Sequence, residues 1–436
     1  MKFNFLYACY RLLSQSFAIP LANILLKYRL KKGKEDPSRL HERRGEPRQN
    51  FQEVAKISNS KMLENLIWIH AASVGESVSV LTFVDHLLKY DPSCVIMVTT
   101  GTLASGIVMD QKLPDRAFHQ FIPLDLQPWV QQFLGLWQPK IAFWVESEIW
   151  PNLIHEVGHR KIPLVMINGR MSQKSFDHWQ WAKGFIDHLL QQFSLCFVQS
   201  SEDAKRLKAL GAQNIIDVEN LKFAAQPLSY DPQLLKELQV KIGQRPLWVA
   251  ASTHEAEEDS LMACHHLLKK KFPDLLTIIV PRHPNRGSSI KQRWQSEIYI
   301  AQRSHQDSID QNTQIYLADT MGELGLFYAL ASVVFVGGSL APIGGHNLIE
   351  PAHFKCALLH GPYMFKCQDV RDLFHRSKAA VQINSAQELA DRLEHFFTSP
   401  NECLEMAQRA QQVVQIHQQI IDKMMIKLDP LLKQNV

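Results

Sequence analysis

The feature that most constrains this chain is an order of events repeated along it: an apolar run, a short polar loop, then a stretch with helical spacing. Leu66 to His70 runs into Ala71-Ala-Ser-Val-Gly-Glu76, with helical spacing on to Leu88. Cys94 to Thr99 runs into Thr100-Gly-Thr-Leu-Ala-Ser-Gly106, and Ile141 to Val145 into Glu146-Ser-Glu-Ile-Trp-Pro-Asn152. Pro163 to Ile167 leads to Asn168-Gly-Arg-Met-Ser172, and Leu195 to Val198 to Gln199-Ser-Ser-Glu202. These runs are apolar throughout instead of alternating, as strands covered on both faces are. Strand, loop and helix in repetition predict a parallel sheet with helices on both sides. Ligands of such sheets sit beyond the carboxyl ends of the strands, where these polar loops fall.

The pattern pauses at Gln226-Pro-Leu-Ser-Tyr-Asp-Pro232, which has the composition of a linker, and then restarts. Leu247 to Ala251 meets Ser252-Thr-His-Glu-Ala-Glu-Glu258, and Leu275 to Val280 meets Pro281-Arg-His-Pro-Asn-Arg286. Gln314 to Leu317 meets Ala318-Asp-Thr-Met-Gly-Glu-Leu324, and Val333 to Val336 meets a loop holding Gly337, Gly338, Gly344 and Gly345. The reading is α/β: two doubly wound, Rossmann-like domains whose loops face a cleft, over residues 36–228 and 229–436, the second closing in C-terminal helices. A length of 436 residues gives each its own core, and 46% apolar with 21% charged residues is ordinary globular composition. A net charge of only +4 argues against a nucleic-acid-binding chain, and seven cysteines without paired spacing argue against a disulfide framework or zinc site.

Residues 1–35 read differently. Phe3 to Leu26 is mostly apolar and aromatic, broken by Arg11, Ser14, Gln15, Ser16 and Pro20, and Lys27-Tyr-Arg-Leu-Lys-Lys-Gly-Lys34 follows. Farther on stand Arg39, Arg43, Arg44 and Arg48. An apolar segment with a basic collar predicts a membrane-anchor helix, spanning or lying in the interface, with the collar on the cytoplasmic side against anionic lipids. A water-exposed N-terminal helix with a basic loop is the alternative.

The loops carry the chemistry. Gly337 and Gly338, followed by His346 and Asn347 at a helix start, suggest an anion site, and Glu350 one turn on can accept bonds from sugar hydroxyls. No G-x-G-x-x-G opens a helix and no G-x-x-x-x-G-K-[ST] occurs, which disfavours a dinucleotide fold and a P-loop. No Asp-x-Asp stands at a strand end to hold Mg²⁺ on a pyrophosphate, so a nucleoside monophosphate donor bound without a metal fits better. His254 to Glu258 lacks the second His of a zinc protease motif and reads as a capped helix start, Ser252 standing three before Glu255. Arg282 and His283 lie in a proline-stiffened loop where a guanidinium can clamp a phosphate. Ser73 and Glu76 fit either a capping box or a general base at a glycine turn, Gly75. Glu146 and Glu148 end an apolar strand, where a carboxylate needs partners or a function. Lys222 can meet charge developing on a leaving group or be a surface lysine. Ser73, Gly75, Thr100, Gly101 and Arg170, in the loops of the first domain, are candidate acceptor-side residues.

Five stretches taken together resemble the Kdo transferases, the 3-deoxy-D-manno-octulosonic acid transferases of Gram-negative lipopolysaccharide assembly. They are His70 to Glu76, Glu146 to Leu153, Pro281 to Pro284, Asp319 to Leu324, and Val336 to Ser339 with Gly344 to Pro351. The resemblance implies a GT-B glycosyltransferase with an acceptor-binding first domain and a donor-binding second one. It implies CMP-Kdo as donor and a lipid A precursor, lipid IVA, as acceptor, at the cytoplasmic face of the inner membrane. By motif, Glu76 takes the position of the catalytic base, and Glu146 and Lys222 those of transition-state stabilisers. Arg282, His283, Met321, Gly322, Glu323, Asn347, Leu348, Ile349 and Glu350 take CMP-binding positions. No cofactor, metal or nucleic acid is expected. The competing readings are a GT-B enzyme with a UDP-sugar donor and a non-catalytic sugar-nucleotide-binding protein of the membrane surface.

Overall fold

The computed structural model describes residues 5–54, 56, 60–146, 148–218, 220–224, 226–417 and 419–433. The chain forms two compact units, Met1–Ala225 with Gln418–Val436, and Gln226–His417.

The first unit is built on β1 (Leu66–His70), β2 (Val95–Thr100), β3 (Ala117–Phe121), β4 (Ile141–Val145), β5 (Leu164–Gly169), β6 (Phe193–Val198) and β7 (Ile215–Asp217). They form one sheet in the order β3-β2-β1-β4-β5-β6-β7, every pair parallel. Ile67 pairs with Ile96 on one side and Ile141 on the other, so the strand order reverses between β1 and β4. That reversal opens a crevice at the carboxyl ends of these two strands. Both are buried along their whole length, which is why their sequences are apolar without alternation. Trp68 and Trp144 meet edge to face at 5.6 Å and anchor the core with Phe133.

The second unit repeats the scheme with β8 (Leu247–Thr253), β9 (Leu276–Pro281), β10 (Ile300–Gln302), β11 (Ile315–Leu317), β12 (Val333–Val336), β13 (Ala357–His360) and β14 (Ala380–Gln382). Their order is β10-β11-β9-β8-β12-β13-β14, again parallel, with the reversal between β8 and β12. Trp248, Phe335 and Phe396 belong to the core beneath it.

One expectation needs correction. The helix Ile420–Lys433, read as part of the second domain, belongs to the first unit: it packs on the turn Leu221–Ala224, and Asp429 accepts a hydrogen bond from Tyr90 at 2.5 Å. The N-terminal segment is a helix Phe5–Leu12, a π-helical turn Leu13–Phe17 and a helix Ala18–Lys31, and among the described residues no helix is long and apolar enough to cross a membrane. Polar groups of this segment have structural uses. Ser14 is buried and accepts a bond from Asn152 at 2.9 Å, and Tyr10 donates to the buried Asp125 at 2.9 Å. Ala22 and Leu26 pack on Leu126 and Trp129, while Leu21, Ile24, Leu25 and Tyr28 face outward. The collar is also partly internal: Arg43 is buried, ion-paired to Glu35 at 3.0 Å and bonded to the carbonyls of Ile122 and Gly101, so it cannot reach a lipid phosphate.

Candidate active site

At the first crevice, β1 delivers the loop Ala71–Glu76 and β4 delivers Glu146 and Glu148. Ser73 caps the helix Val74–Ser79. The Glu76 carboxylate accepts the Ala72 N–H at 2.9 Å and the Ser73 hydroxyl at 2.7 Å. Ser73 is therefore a true cap, but the carboxylate passes over the Ser73 N–H of a capping box to the Ala72 N–H, which fixes the orientation of a half-buried carboxylate at the sheet's ligand edge. Glu146 adopts φ +58°, a left-handed conformation that costs a non-glycine residue energy and concentrates at functional sites. Its N–H bonds the Ile167 carbonyl at 2.9 Å, which ties the strained residue to β5.

Glu148, next to it, accepts the Trp150 N–H at 2.9 Å and lies 3.7 Å from His70 Nε2. Burial works to raise its carboxyl, yet His70 and Trp150 hold it below the ordinary carboxylate range. His70 is fully buried at the end of β1, with Nδ1 3.0 Å from the Thr99 hydroxyl, which accepts the Trp68 indole N–H at 2.8 Å. When the Thr99 hydroxyl donates to Nδ1, the ring proton sits on Nε2 and faces Glu148, at 3.7 Å and outside hydrogen-bond distance. Sequence reasoning weighed Glu148 only as a companion of Glu146 and gave His70 no role. Only the pairing of β1 with β2 and β4 brings these groups together.

The other first-unit candidates divide. Arg170 is exposed beyond β5. Thr100 is buried with its hydroxyl on His119 at 2.8 Å, and Gly101 is packed so that a Cβ would stand 3.2 Å from the Ala72 carbonyl. Both shape the edge instead of presenting a side chain to a ligand. Gly75 has open space around it and no positive φ. The turn Leu221–Ala224 packs on the Glu76 helix, which brings the Lys222 backbone to this edge; the Lys222 side chain lies outside the described residues.

In the second unit, β11, β9, β8 and β12 are neighbours, so the loops after them share one edge. Arg282 and His283 are exposed after β9, and the Arg282 N–H bonds the Thr253 carbonyl at 2.9 Å. Met321 is exposed, and Gly322 turns with φ +82°. The Glu323 carboxylate is already held by Nε and Nη2 along one edge of the Arg303 guanidinium and by the Thr320 hydroxyl, so only its backbone is available to a base or ribose.

The glycine loop differs from expectation. The Gly338, Ser339 and Leu340 N–H groups do not await a phosphate; they bond the Glu257 carboxylate at 2.5, 3.2 and 3.2 Å. The same carboxylate accepts the His254 N–H at 3.1 Å, so His254 and Glu257, not Ser252 and Glu255, start that helix. A Cβ at Gly337 would stand 2.7 Å from the same carboxylate, which explains the glycine there. The Gly337 N–H itself pairs with Ala251. The following helix, Ile349–His353, is short, and Asn347 spends its side-chain oxygen on the Ile349 N–H at 3.0 Å. Leu348 and Ile349 are fully buried, and Glu350 is half buried behind Asn347. What the edge does present to an anion is cationic: Arg282 and Lys366 are both exposed there. His346, read from sequence as part of the anion loop, and His254, read as part of a capped helix start, sit beside them with their Nε2 atoms 2.8 Å apart.

Comparison with known proteins decides the family. Residues 38–225 match the family model described as 3-Deoxy-D-manno-octulosonic-acid transferase (kdotransferase). The 3-deoxy-D-manno-octulosonic acid transferase of Rickettsia bellii is 35% identical over 415 residues, covering 93% of this chain and 96% of its own. The chain belongs to the 3-deoxy-D-manno-octulosonic acid transferase family. The Haemophilus influenzae member is 32% identical, over 85% of this chain and 88% of its own. Among solved structures, UDP-GlcNAc 2-epimerase from Neisseria meningitidis aligns over 83% of this chain and all of its own (100%), with TM-score 0.56 at 11% identity. A glycosyltransferase from Rickettsia africae aligns over 85% and 99%, with TM-score 0.55 at 12% identity. These two likenesses show the fold: this Kdo transferase family member shares the paired α/β architecture of sugar-nucleotide epimerases and glycosyltransferases.

Proposed function

We propose that the chain transfers Kdo from CMP-Kdo to a lipid A precursor, lipid IVA, in one inverting displacement. The observation that carries this reading is the opposite character of the two sheet edges. The edge of the first unit presents carboxylates, Glu76, Glu146 and Glu148, suited to taking a hydroxyl proton and to facing a cationic transition state. That of the second presents Arg282, His283 and Lys366, suited to a nucleoside monophosphate. Glu76 removes the proton of a glucosamine hydroxyl as its oxygen attacks the anomeric carbon of Kdo. The bond from that carbon to the phosphate oxygen breaks, the electron pair stays on the phosphate, and CMP leaves from the opposite face. Glu146 and Lys222 stabilise the charge that develops. No metal is required, and the acceptor is met at the cytoplasmic face of an inner membrane, against which the outward side of the N-terminal helices rests beside anionic lipids.

The test is product mass spectrometry with the purified full chain, CMP-Kdo and lipid IVA. The expected result is Kdo added to the lipid, undiminished in EDTA and inhibited by excess CMP more than by UDP. A loss of transfer in EDTA restored by Mg²⁺ would refute the metal-free step. Stronger inhibition by UDP, or binding of CMP-Kdo without turnover, would refute the donor assignment or the activity.

A further inference from the structure

A cluster of imidazoles on the ligand edge of the second unit is left unused by that chemistry. His254 follows β8 and His346 lies in the loop after β12, the two strands that flank the reversal of the sheet. Their Nε2 atoms are 2.8 Å apart, their rings are within 3° of parallel, and the ring centroids are 5.1 Å apart. A centroid separation that exceeds the N···N distance by the reach of both rings means the two lie edge to edge in one plane. The contact is an in-plane N–H···N bond, which requires one nitrogen to be without a proton. His283 stands edge-on to His254 at 5.7 Å.

The charged groups around the pair are unbalanced. Arg282, Lys366, His283 and Arg286 face it. Arg286 is neutralised by Glu255 at 2.9 Å and Glu258 at 2.7 Å, and Glu257 is spent on backbone N–H groups. The charged groups that act on the two imidazoles are cations, with no carboxylate among them. Burial first, and these cations next, hold both imidazoles below the ordinary histidine range, His346 down to about 4. Without an anion the pair is therefore neutral at physiological pH. Both rings are half-buried, not sealed, so an anion can reach them.

We propose that the His254–His346 pair is the proton-accepting part of a phosphate site, taking up a proton from solvent when a phosphomonoester dianion binds beside Arg282 and Lys366. The inference rests on the reading above, that CMP is bound by the second unit and leaves from it. In the donor the phosphate is a diester with one negative charge. When the bond to the sugar breaks, the phosphate keeps the electron pair and carries two. The hydroxyl proton goes to Glu76, and the proton on the imidazole pair comes from water, so no further reactant is needed. A protonated pair meets the second charge as it forms and holds the leaving group in its dianionic state.

The experiment is calorimetric titration of CMP into the full chain at about pH 7 in two buffers of different ionisation enthalpy. The expected result is uptake of about one proton per CMP, with affinity rising as pH falls from about 8 to 7 by up to about tenfold per unit. The phosphate of CMP, with a second pKa of about 6, contributes in the opposite sense, because binding as the dianion releases protons. His346→Gln and His254→Gln are each expected to bind CMP without the uptake. Binding by the unaltered chain with no uptake, or uptake that survives both substitutions, overturns the proposal while leaving the donor reading intact. No binding of CMP at all overturns the donor reading and this inference with it.

Discussion

At the scale of single residues, two carboxylates separate catalysis from scaffolding. Glu76 accepts the N–H of Ala72 just ahead of its helix, and a glutamine retains an oxygen that can do the same. Glu76→Gln is therefore expected to change stability by less than about 1 kcal/mol while lowering kcat by about 10²- to 10⁴-fold, the worth of a general base. Thermal melts and initial rates at saturating substrates check both halves, and near-normal turnover would remove Glu76 from the role of base. Glu257 is the reverse case. It holds four backbone N–H groups, three of them in the glycine loop. Glu257→Ala leaves buried donors without an acceptor at about 1–3 kcal/mol each, so a loss of at least about 3 kcal/mol is expected in denaturant titration, with weakened CMP binding. Unchanged stability would mean the loop satisfies itself in another way. The pattern of the chain marks the segment around Glu257 as a helix start. It cannot show that the carboxylate reaches a loop 81 residues on, because that contact exists only once β8 and β12 are neighbours.

At the scale of elements, the same limit explains which strands were legible. The central strands are covered on both faces and write themselves as apolar runs, and β1 and β12 were bounded in the sequence as they fold. Strands β3, β7, β10, β13 and β14 are short or carry polar residues; β3 contains His119 and Gln120, both buried and bonded to Thr100, Glu46 and Arg48. The N-terminal helices were legible as apolar but not as docked, since their polar contacts lie far along the chain. That seam has an opposed pH dependence. Burial pushes Asp125 up to about 6 in spite of the N–H groups of Asn152 and Leu153 and the Tyr10 hydroxyl. Its stabilising share is full below the unfolded value of about 3.9 and is lost as pH rises through about 6. Burial, then His188, Arg11 and His159, bring His155 down to about 4, against an opposing pull from Glu156. Its share is full above about 6.5 and is lost as pH falls through about 4. The two run in opposite directions between these limits, so Asp125→Asn should expose the His155 side alone. Its Tm is expected to fall from pH 7 to pH 5 more steeply than that of the unaltered chain. Parallel melting curves across that range would show that His155 does not titrate as the seam requires.

At the scale of the molecule, two sheets of the same winding scheme carry edges of opposite chemistry, and a segment outside both carries the remaining surface. In the helix Ala18–Lys31, Ala22 and Leu26 turn inward, while Leu21, Ile24, Leu25 and Tyr28 recur at i, i+3, i+4 and i+7 and are exposed. A stripe at that spacing, with Lys27, Lys31 and Lys32 nearby, is the pattern of a helix lying in a membrane interface, and no helix among the described residues is long and apolar enough to span. If the acceptor's acyl chains stay in the bilayer, this stripe would supply the approach to the two edges on the proposed mechanism. Replacing Leu21, Ile24 and Leu25 together by Glu removes side chains that are 68%, 64% and 48% exposed, so the fold should hold. Losing most of their apolar contact at about 25 cal/mol per Å² and adding repulsion from anionic lipid should lower partition onto vesicles containing phosphatidylglycerol by about tenfold or more. Transfer to lipid IVA in such vesicles should fall with it, while transfer to a deacylated, water-soluble acceptor should stay near normal. Equal loss on both acceptors would place the damage in the fold, and unchanged vesicle partition would show that the exposed stripe does not meet the membrane.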